Sequence, residues 1–363
     1  MKTGKVVPPN SASRSTAGGF LFLLLAVGGL AGCAINPAVN LAEHAEPGPA
    51  VELADVPFYP QKAHQCGPAA LAGVLGASGV TIDPEALVPQ VYLPEREGSL
   101  QFELMAATRR AGRIPFPVSE DIEALMMELD AGRPVLVLQN LGTRSFPYWH
   151  YAVVTGYDPA DNEVILNSGK RQGKHQGARS FLRTWDWAGR WAMVALEPGQ
   201  APVNAQGLHY LDAVAAFERV AGPAAALPAW QAGIERWPDD YRSWLSLGNA
   251  YAALDELRFA LETYARGLQV HPGQLVLENN LAHVLGELGC ARMAHQRLSA
   301  LRERNELNGR WASAVESTLE QMKQQSRPDE PGCQELLTEP ATPIALRPRG
   351  DRSLEHANTE YKH

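Results

Sequence analysis

Cys66 opens the run Cys66-Gly67-Pro68-Ala69-Ala70-Leu71, and Gln61 lies a short stretch of chain before it. Far downstream, His150 heads the apolar run Tyr151-Ala152-Val153-Val154, and Asn167 closes Val164-Ile165-Leu166. These side chains supply a nucleophile, a base, an orienter for that base and an oxyanion donor, the set that acyl transfer through a thioester requires. A cysteine at a helix start feels the positive end of the helix dipole, and an imidazolium partner would lower its thiol pKa further. His150 is therefore expected to act first as general base and then as general acid toward the leaving amine. The Asn167 carboxamide would accept from one ring nitrogen and turn the other toward Cys66. Gln61 would donate its side-chain N–H to the oxyanion beside the backbone N–H of Cys66, a contribution typically of a few kcal/mol, roughly 3.

The elements that position these residues are legible in outline. Gly67 lets a substrate approach, and Pro68 suits a first helical turn, where a missing N–H costs nothing. Ala70, Leu71, Val74 and Leu75 give that helix a buried side. Ser99 is expected to cap a second helix. Ser119-Glu120-Asp121-Ile122 opens a third, which carries Ile122, Leu125, Met126 and Leu129 on one stripe. The period then shortens. Pro134 to Leu141, Tyr151 to Tyr157, Glu163 to Asn167 and Trp191 to Leu196 read as strands bounded by Gly, Pro, Asp and Asn. Helices followed by strands make an α+β domain over residues 51–200, with helices packed on an antiparallel sheet. The basic cluster Lys170, Arg171, Lys174 and His175 sits among glycines and reads as a solvated loop.

From residue 207 the chain repeats at an interval of 34: Ala226, Ala260 and Ala294 keep that step, as do Trp230, Tyr264 and Leu298. Trp244-x-x-Leu247-Gly248-x-x-Tyr251 is the first-helix pattern of a tetratricopeptide repeat. Small residues at 248 and 260 would let antiparallel helices approach closely. Residues 207–325 are thus expected to form an all-α solenoid of about three repeats, 207–240, 241–274 and 275–308, with a capping helix after them. Its role would be to recruit substrate or a protein partner. Residues 326–363 are proline-rich and charged and are expected to be disordered.

The first 33 residues combine Lys2, Lys5 and Arg14 with a short apolar core from Gly19 to Leu30 and end in Leu30-Ala31-Gly32-Cys33. This resembles a bacterial lipoprotein signal, in which Cys33 is the lipidation site and palmitate one of its acyl chains. Ala34, in place of aspartate, directs the expectation to the outer membrane, with the chain lipid-anchored there and facing the periplasm. Residues 34–50 would be a flexible tether. The remaining cysteines are Cys66, Cys290 and Cys333. That is no disulfide framework, although Cys290 and Cys333 are able to pair. A formal charge of -8 argues against nucleic acid as a partner. His64 beside Cys66 offers two ligands where zinc needs more, so no metal and no cofactor is expected.

Gln61-x4-Cys66-Gly67-Pro68-Ala69-Ala70, His150-Tyr151-Ala152-Val153-Val154-x-Gly156-Tyr157-Asp158 and Asn167 together resemble a C39-like peptidase domain of the papain-like superfamily, over residues 55–198. The resemblance implies a thiol peptidase with Cys66 as nucleophile, His150 as base and Gln61 as the oxyanion glutamine. The third member in that family is usually aspartate, where this chain offers Asn167. Asp158 is the acidic alternative to Asn167, and Gln65 the alternative to Gln61. Members of the family that cut double-glycine leaders also carry membrane spans and an ATPase, and no phosphate loop is present in this sequence. Three readings follow. The first is a peptidase acting on a peptide or protein at the cell envelope. The second is a peptidoglycan stem-peptide amidase or transpeptidase-like enzyme. The third is a catalytically silent scaffold that binds proteins through its repeats.

Overall fold

The computed structural model describes residues 39–44, 49–61, 65–304, 306–307 and 309–337. Cys33, the signal segment and His64 lie outside the described residues. In chain order the elements are β1 (Val51–Glu52), α1 (Cys66–Ala77), α2 (Pro84–Val91), β2 (Tyr92–Leu93), β3 (Gly98–Ser99), α3 (Gln101–Arg110), β4 (Ile114–Pro117), α4 (Ile122–Asp130), β5 (Val135–Asn140), β6 (Trp149–Asp158), β7 (Glu163–Ser168), β8 (Arg171–Gly177), α5 (Ala178–Asp186) and β9 (Ala192–Leu196). The all-α part follows as α6 (Gly207–Ala221), α7 (Pro223–Arg236), α8 (Tyr241–Ala253), α9 (Leu257–Val270), α10 (Leu275–Glu287), α11 (Ala291–Glu303) and α12 (Ala312–Gln325). A mixed α+β domain thus precedes an all-α bundle.

The sheet runs β4-β9-β5-β6-β7-β8, with β1 extending the line of β5 along β6. Every described pairing in it is antiparallel. Alternation along β6 divides two cores. Tyr151 and Val153 face α1, while Ala152 and Val154 face the side covered by α4 and α5. A Cβ at Gly156 would meet the Val51 carbonyl oxygen at 2.1 Å, so only glycine lets β1 close on β6 there. The four expected strands are present. β4, α5, the β2–β3 hairpin, β8 and α2 escaped the sequence reading, the last two for evident physical reasons. β8 carries charges and glycines because it is an exposed edge strand with no apolar face to bury. α2 is short, and its start is marked only by the Asp83 cap and Pro84.

Several expectations need correction. Ser99 belongs to β3 rather than capping α3, whose N-cap Leu100 makes no side-chain bond. α4 starts on Asp121, whose side chain accepts from the Ala124 N–H at 2.6 Å. The stretch 34–50 is not a free tether throughout. Leu41 is buried in the core, and the Asn162 side chain bonds both Leu41 N–H and Val39 C=O, at 3.0 and 2.9 Å. An apolar side chain with a cavity to fill and a turn asparagine to satisfy it holds that segment down. Within the expected disordered tail, the described residues 326–337 are tied to the bundle. Cys333 is disulfide-bonded to Cys290 and buried in the second core, and Glu330 accepts from the Arg292 N–H.

The α+β domain and the first helix pairs share one continuous apolar core, with Ile114 and Leu196 in the same cluster as Tyr210, Phe217 and Trp230. The Tyr210 hydroxyl donates to Gln200 C=O, and the Glu128 carboxylate accepts from Val203 N–H, which ties the connecting segment to both sides. Further along, α8 and α9 cross where Gly248 meets Tyr264. A Cβ at Gly248 would stand 2.2 Å from the ring. Gly248→Ala is therefore expected to destabilise the bundle. Overpacking of about 1–3 kcal/mol outweighs the roughly 1 kcal/mol gained in helix propensity, and a lowered thermal midpoint by circular dichroism would register it. An unchanged or raised midpoint would mean that the ring moves freely and that the glycine is not what sets the helix spacing.

Candidate active site

β7 pairs with β6 only as far as Asn167, opposite Val153. Beyond that point β7 turns into the hairpin toward β8, and the main-chain groups of Tyr151 lose their strand partner. Buried backbone groups must find another. The carbonyl of Tyr151 accepts from Gln61 Nε2 at 3.4 Å, and its N–H points at the Cys66 sulfur. Gln61 is held there by its own backbone N–H, bonded to Gly169 C=O at 3.0 Å. Cys66 and Gln61 thus fill the notch that β7 vacates, beside His150 on the neighbouring position of β6.

Local packing fixes α1 in this place. A Cβ on Gly67 would collide with the Ser99 side chain of β3 at 2.3 Å. Gly76 abuts the Pro57 ring, which directs the lead-in segment toward Gln61. The Tyr151 hydroxyl donates to Ser99 C=O at 3.2 Å and closes the same corner. The first turn of α1 carries no side-chain cap from Gln65, so its N–H groups remain aimed at the site. Gln65 makes no cap bond, and of the two glutamines it is Gln61 whose side chain is tied to Tyr151 beside the sulfur.

The electrostatics differ from expectation. Burial pushes the Cys66 thiol pKa up, and the backbone N–H groups of Tyr151, Gly67 and Cys66 itself only partly offset it. Burial also pushes His150 from 6.5 down to about 4, with the Lys174 ammonium adding to the effect. Both shifts favour a neutral thiol and a neutral imidazole over the expected thiolate–imidazolium pair, because desolvation at this depth opposes the helix dipole.

The third member is also rearranged. His150 Nε2 is hydrogen-bonded to Ser168 Oγ at 3.0 Å. Asn167, the expected orienter, instead uses Oδ1 to accept from Gly173 N–H at 3.0 Å, closing the irregular β7–β8 hairpin. Strand alternation is the reason. Ser168 follows Leu166 on the side of the sheet that carries His150, whereas Asn167 shares the side of Val153. Asp158 sits at the other end of β6 and accepts from Ala160 and Asp161 N–H in a turn. Sequence reasoning missed Ser168, whose only signal is its place beside Asn167. It also missed Asn140, whose Oδ1 accepts from both Gly142 and Tyr148 N–H and so shapes the loop before His150. That loop leaves Phe146, Tyr148 and Trp149 exposed. Among the described residues no group of three or more His, Cys, Asp or Glu is placed to hold a metal ion, and no helix is long and apolar enough to cross a membrane.

The buried neutral His150 makes a stability prediction. Between its ordinary pKa near 6.5 and its folded value of about 4, the unfolded chain binds a proton that the native chain does not. Stability therefore falls as pH drops through that window, by roughly 3 kcal/mol for this group. Urea unfolding at pH 7 and pH 4 is expected to show a larger acid loss for the native chain than for His150→Gln. Equal losses would mean that the ring is solvated in the folded state.

Residues 53–193 match the Peptidase_C39 like family. No curated protein matches the chain. Among solved structures, a Bacillus anthracis protein described as a C39-like peptidase is 20% identical, aligning with 41% of this chain and 98% of its own at a TM-score of 0.35. The peptidase domain of Streptococcus ComA, a bi-functional ABC transporter involved in a quorum sensing pathway, is 19% identical over 39% of this chain and 98% of its own, at a TM-score of 0.32. The TPR2B domain of yeast Sti1, solved as a complex with pHsp70, is 19% identical over 31% of this chain and 92% of its own, at a TM-score of 0.29.

Proposed function

We propose that the α+β domain is a cysteine peptidase that cleaves a peptide bond through a thioester on Cys66. The observation that carries this reading is the shared use of one peptide group. Tyr151 holds the Cys66 sulfur with its N–H and the Gln61 carboxamide with its C=O, with His150 one residue away. The match of residues 53–193 to a peptidase family supports it.

The chemistry starts from the neutral pair. As Cys66 attacks the substrate carbonyl carbon, His150 takes the thiol proton, so charge separates only when the oxyanion forms to balance it. With Nε2 engaged by Ser168, Nδ1 is the nitrogen left for this exchange. An amide NH2 has two donors. Gln61 spends one on Tyr151 and offers the other, together with Cys66 N–H, to the oxyanion. The His150 proton then passes to the leaving nitrogen as the C–N bond breaks. Water, giving its proton to His150, opens the thioester and restores the thiol.

The setting we propose is the cell envelope. The disulfide between Cys290 and Cys333 supports an oxidising compartment. The signal-like segment ending in Cys33 supports a lipid anchor, with the outer membrane facing the periplasm as the assigned location. The helix pairs recruit the substrate or a protein partner.

The test is turnover of a mixture of internally quenched peptides, with the reaction quenched in acid to trap acyl-Cys66 as a hydroxylamine-sensitive mass adduct. Cys66→Ala is expected to abolish both signals, His150→Ala to cost about 10²–10⁴-fold, and Gln61→Ala about 10²–10³-fold. Ser168→Ala should lower turnover while leaving the fold intact. Asn167→Ala should act mainly by loosening the hairpin. Cleavage that persists in Cys66→Ala would overturn the assignment.

A further inference from the structure

The basic stretch that reads from sequence as a solvated loop is strand β8, and it borders the site. Ser168, which holds His150, is the cross-strand partner of Arg171, and Leu166 is that of Lys174. Paired residues project to the same side of a sheet, so Arg171 and Lys174 emerge on the side that carries the His150 ring. Lys170 sits on the intervening turn. Among the described residues none of these three cations has an ion-pair partner, whereas neighbouring His175 is matched to Glu163 at 2.9 Å. Lys174 is half-buried and close enough to act on the imidazole electrostatically. A half-buried ammonium with no counter-ion is costly to keep, and its cost is relieved when a bound anion completes the pair.

The direction of the substrate follows from the chemistry. The imidazole that receives the thiol proton must deliver it to the leaving nitrogen, so the leaving segment crosses His150 and meets β8. We infer that Lys174 and Arg171 select a carboxylate on the leaving side of the substrate, within one or two residues of the bond cut, supplied by an acidic side chain or by the segment's own terminal carboxylate. This rests on the peptidase reading and adds to it a substrate class: peptides in which the new amino terminus of the released carboxy-terminal segment is followed closely by negative charge.

The experiment uses the full chain and two probes. Quenched peptides identical except at the first two leaving-side positions carry Asp or Glu, Asn or Gln, or Lys. A short-leaving series ends in either a free carboxylate or a carboxamide. In parallel, Cys66 is alkylated with iodoacetate and with iodoacetamide and read by peptide mass. Acidic peptides are expected to exceed basic ones in kcat/KM by at least about tenfold. The iodoacetate-to-iodoacetamide ratio should exceed that of a small free thiol several-fold. Both preferences should shrink in Lys174→Gln and vanish or invert in Arg171→Glu/Lys174→Glu, with folding checked by circular dichroism. The two peptide series separate a side-chain carboxylate from a terminal one.

Indifference to leaving-side charge, with an alkylation ratio equal to that of a free thiol and unmoved by charge reversal, overturns the inference. If no peptide is cut, the alkylation ratio and its loss in the charge-reversed variant decide alone. Failure of the peptidase reading is separately visible, as the absence of any hydroxylamine-sensitive adduct on Cys66.

Discussion

A peptide group buried at the end of a sheet cannot go without partners, and that of Tyr151 governs this molecule. β7 leaves β6 one step too early to pair with it. Its N–H and C=O are then free to hold two side chains from a different part of the chain, Cys66 and Gln61. Everything around the notch serves that arrangement. Gly67 yields to Ser99 so that α1 sits close, Gly169 accepts from the Gln61 backbone, and Asn167 stabilises the hairpin whose departure creates the gap. A strand that continued in register would have satisfied the same hydrogen bonds and left no site.

Burial then decides the resting chemistry. Helix dipole and backbone donors pull the Cys66 thiol toward ionisation, yet desolvation is the larger effect at this depth, and it acts on His150 in the same sense toward neutrality. A neutral resting pair has a chemical consequence. No ion pair is stored beforehand, and a thiol kept protonated is less open to oxidation. Elsewhere in the chain the Cys290–Cys333 disulfide ties the segment after α12 back onto the second core.

The site was legible to different depths at different residues. Cys66, Gln61 and His150 stood out because residue type and local context were enough: a helix-opening cysteine, a nearby amide and a histidine heading an apolar strand. The structure brings all three to the Tyr151 corner. Asn167 reads as the orienter on chemical grounds, since a carboxamide is a common orienter, while Ser168 beside it carries no such signal. The choice between adjacent residues depends on which side of the sheet each one faces, and strand alternation is settled by pairing with β6. The anchoring of Leu41 and of the segment around Cys333 is illegible for a related reason. Cys333 and Leu41 are single residues in polar stretches, and no periodic pattern announces that a distant core has room for them.

What the sequence by itself determined were the local and periodic features. These are the α+β order, the helix pairs with their 34-residue step, four strands of the central sheet and the side chains able to do thiol chemistry. Each is written in spacing or residue type within a short window, where chain geometry acts directly. Tertiary structure alone decided which groups meet and in what state. The notch at Tyr151, the engagement of Ser168, the neutral thiol and imidazole, and the placing of Lys174 and Arg171 beside the base all arise from contacts between segments far apart in the chain. They depend on register, burial and desolvation, quantities that exist only once the sheet has closed.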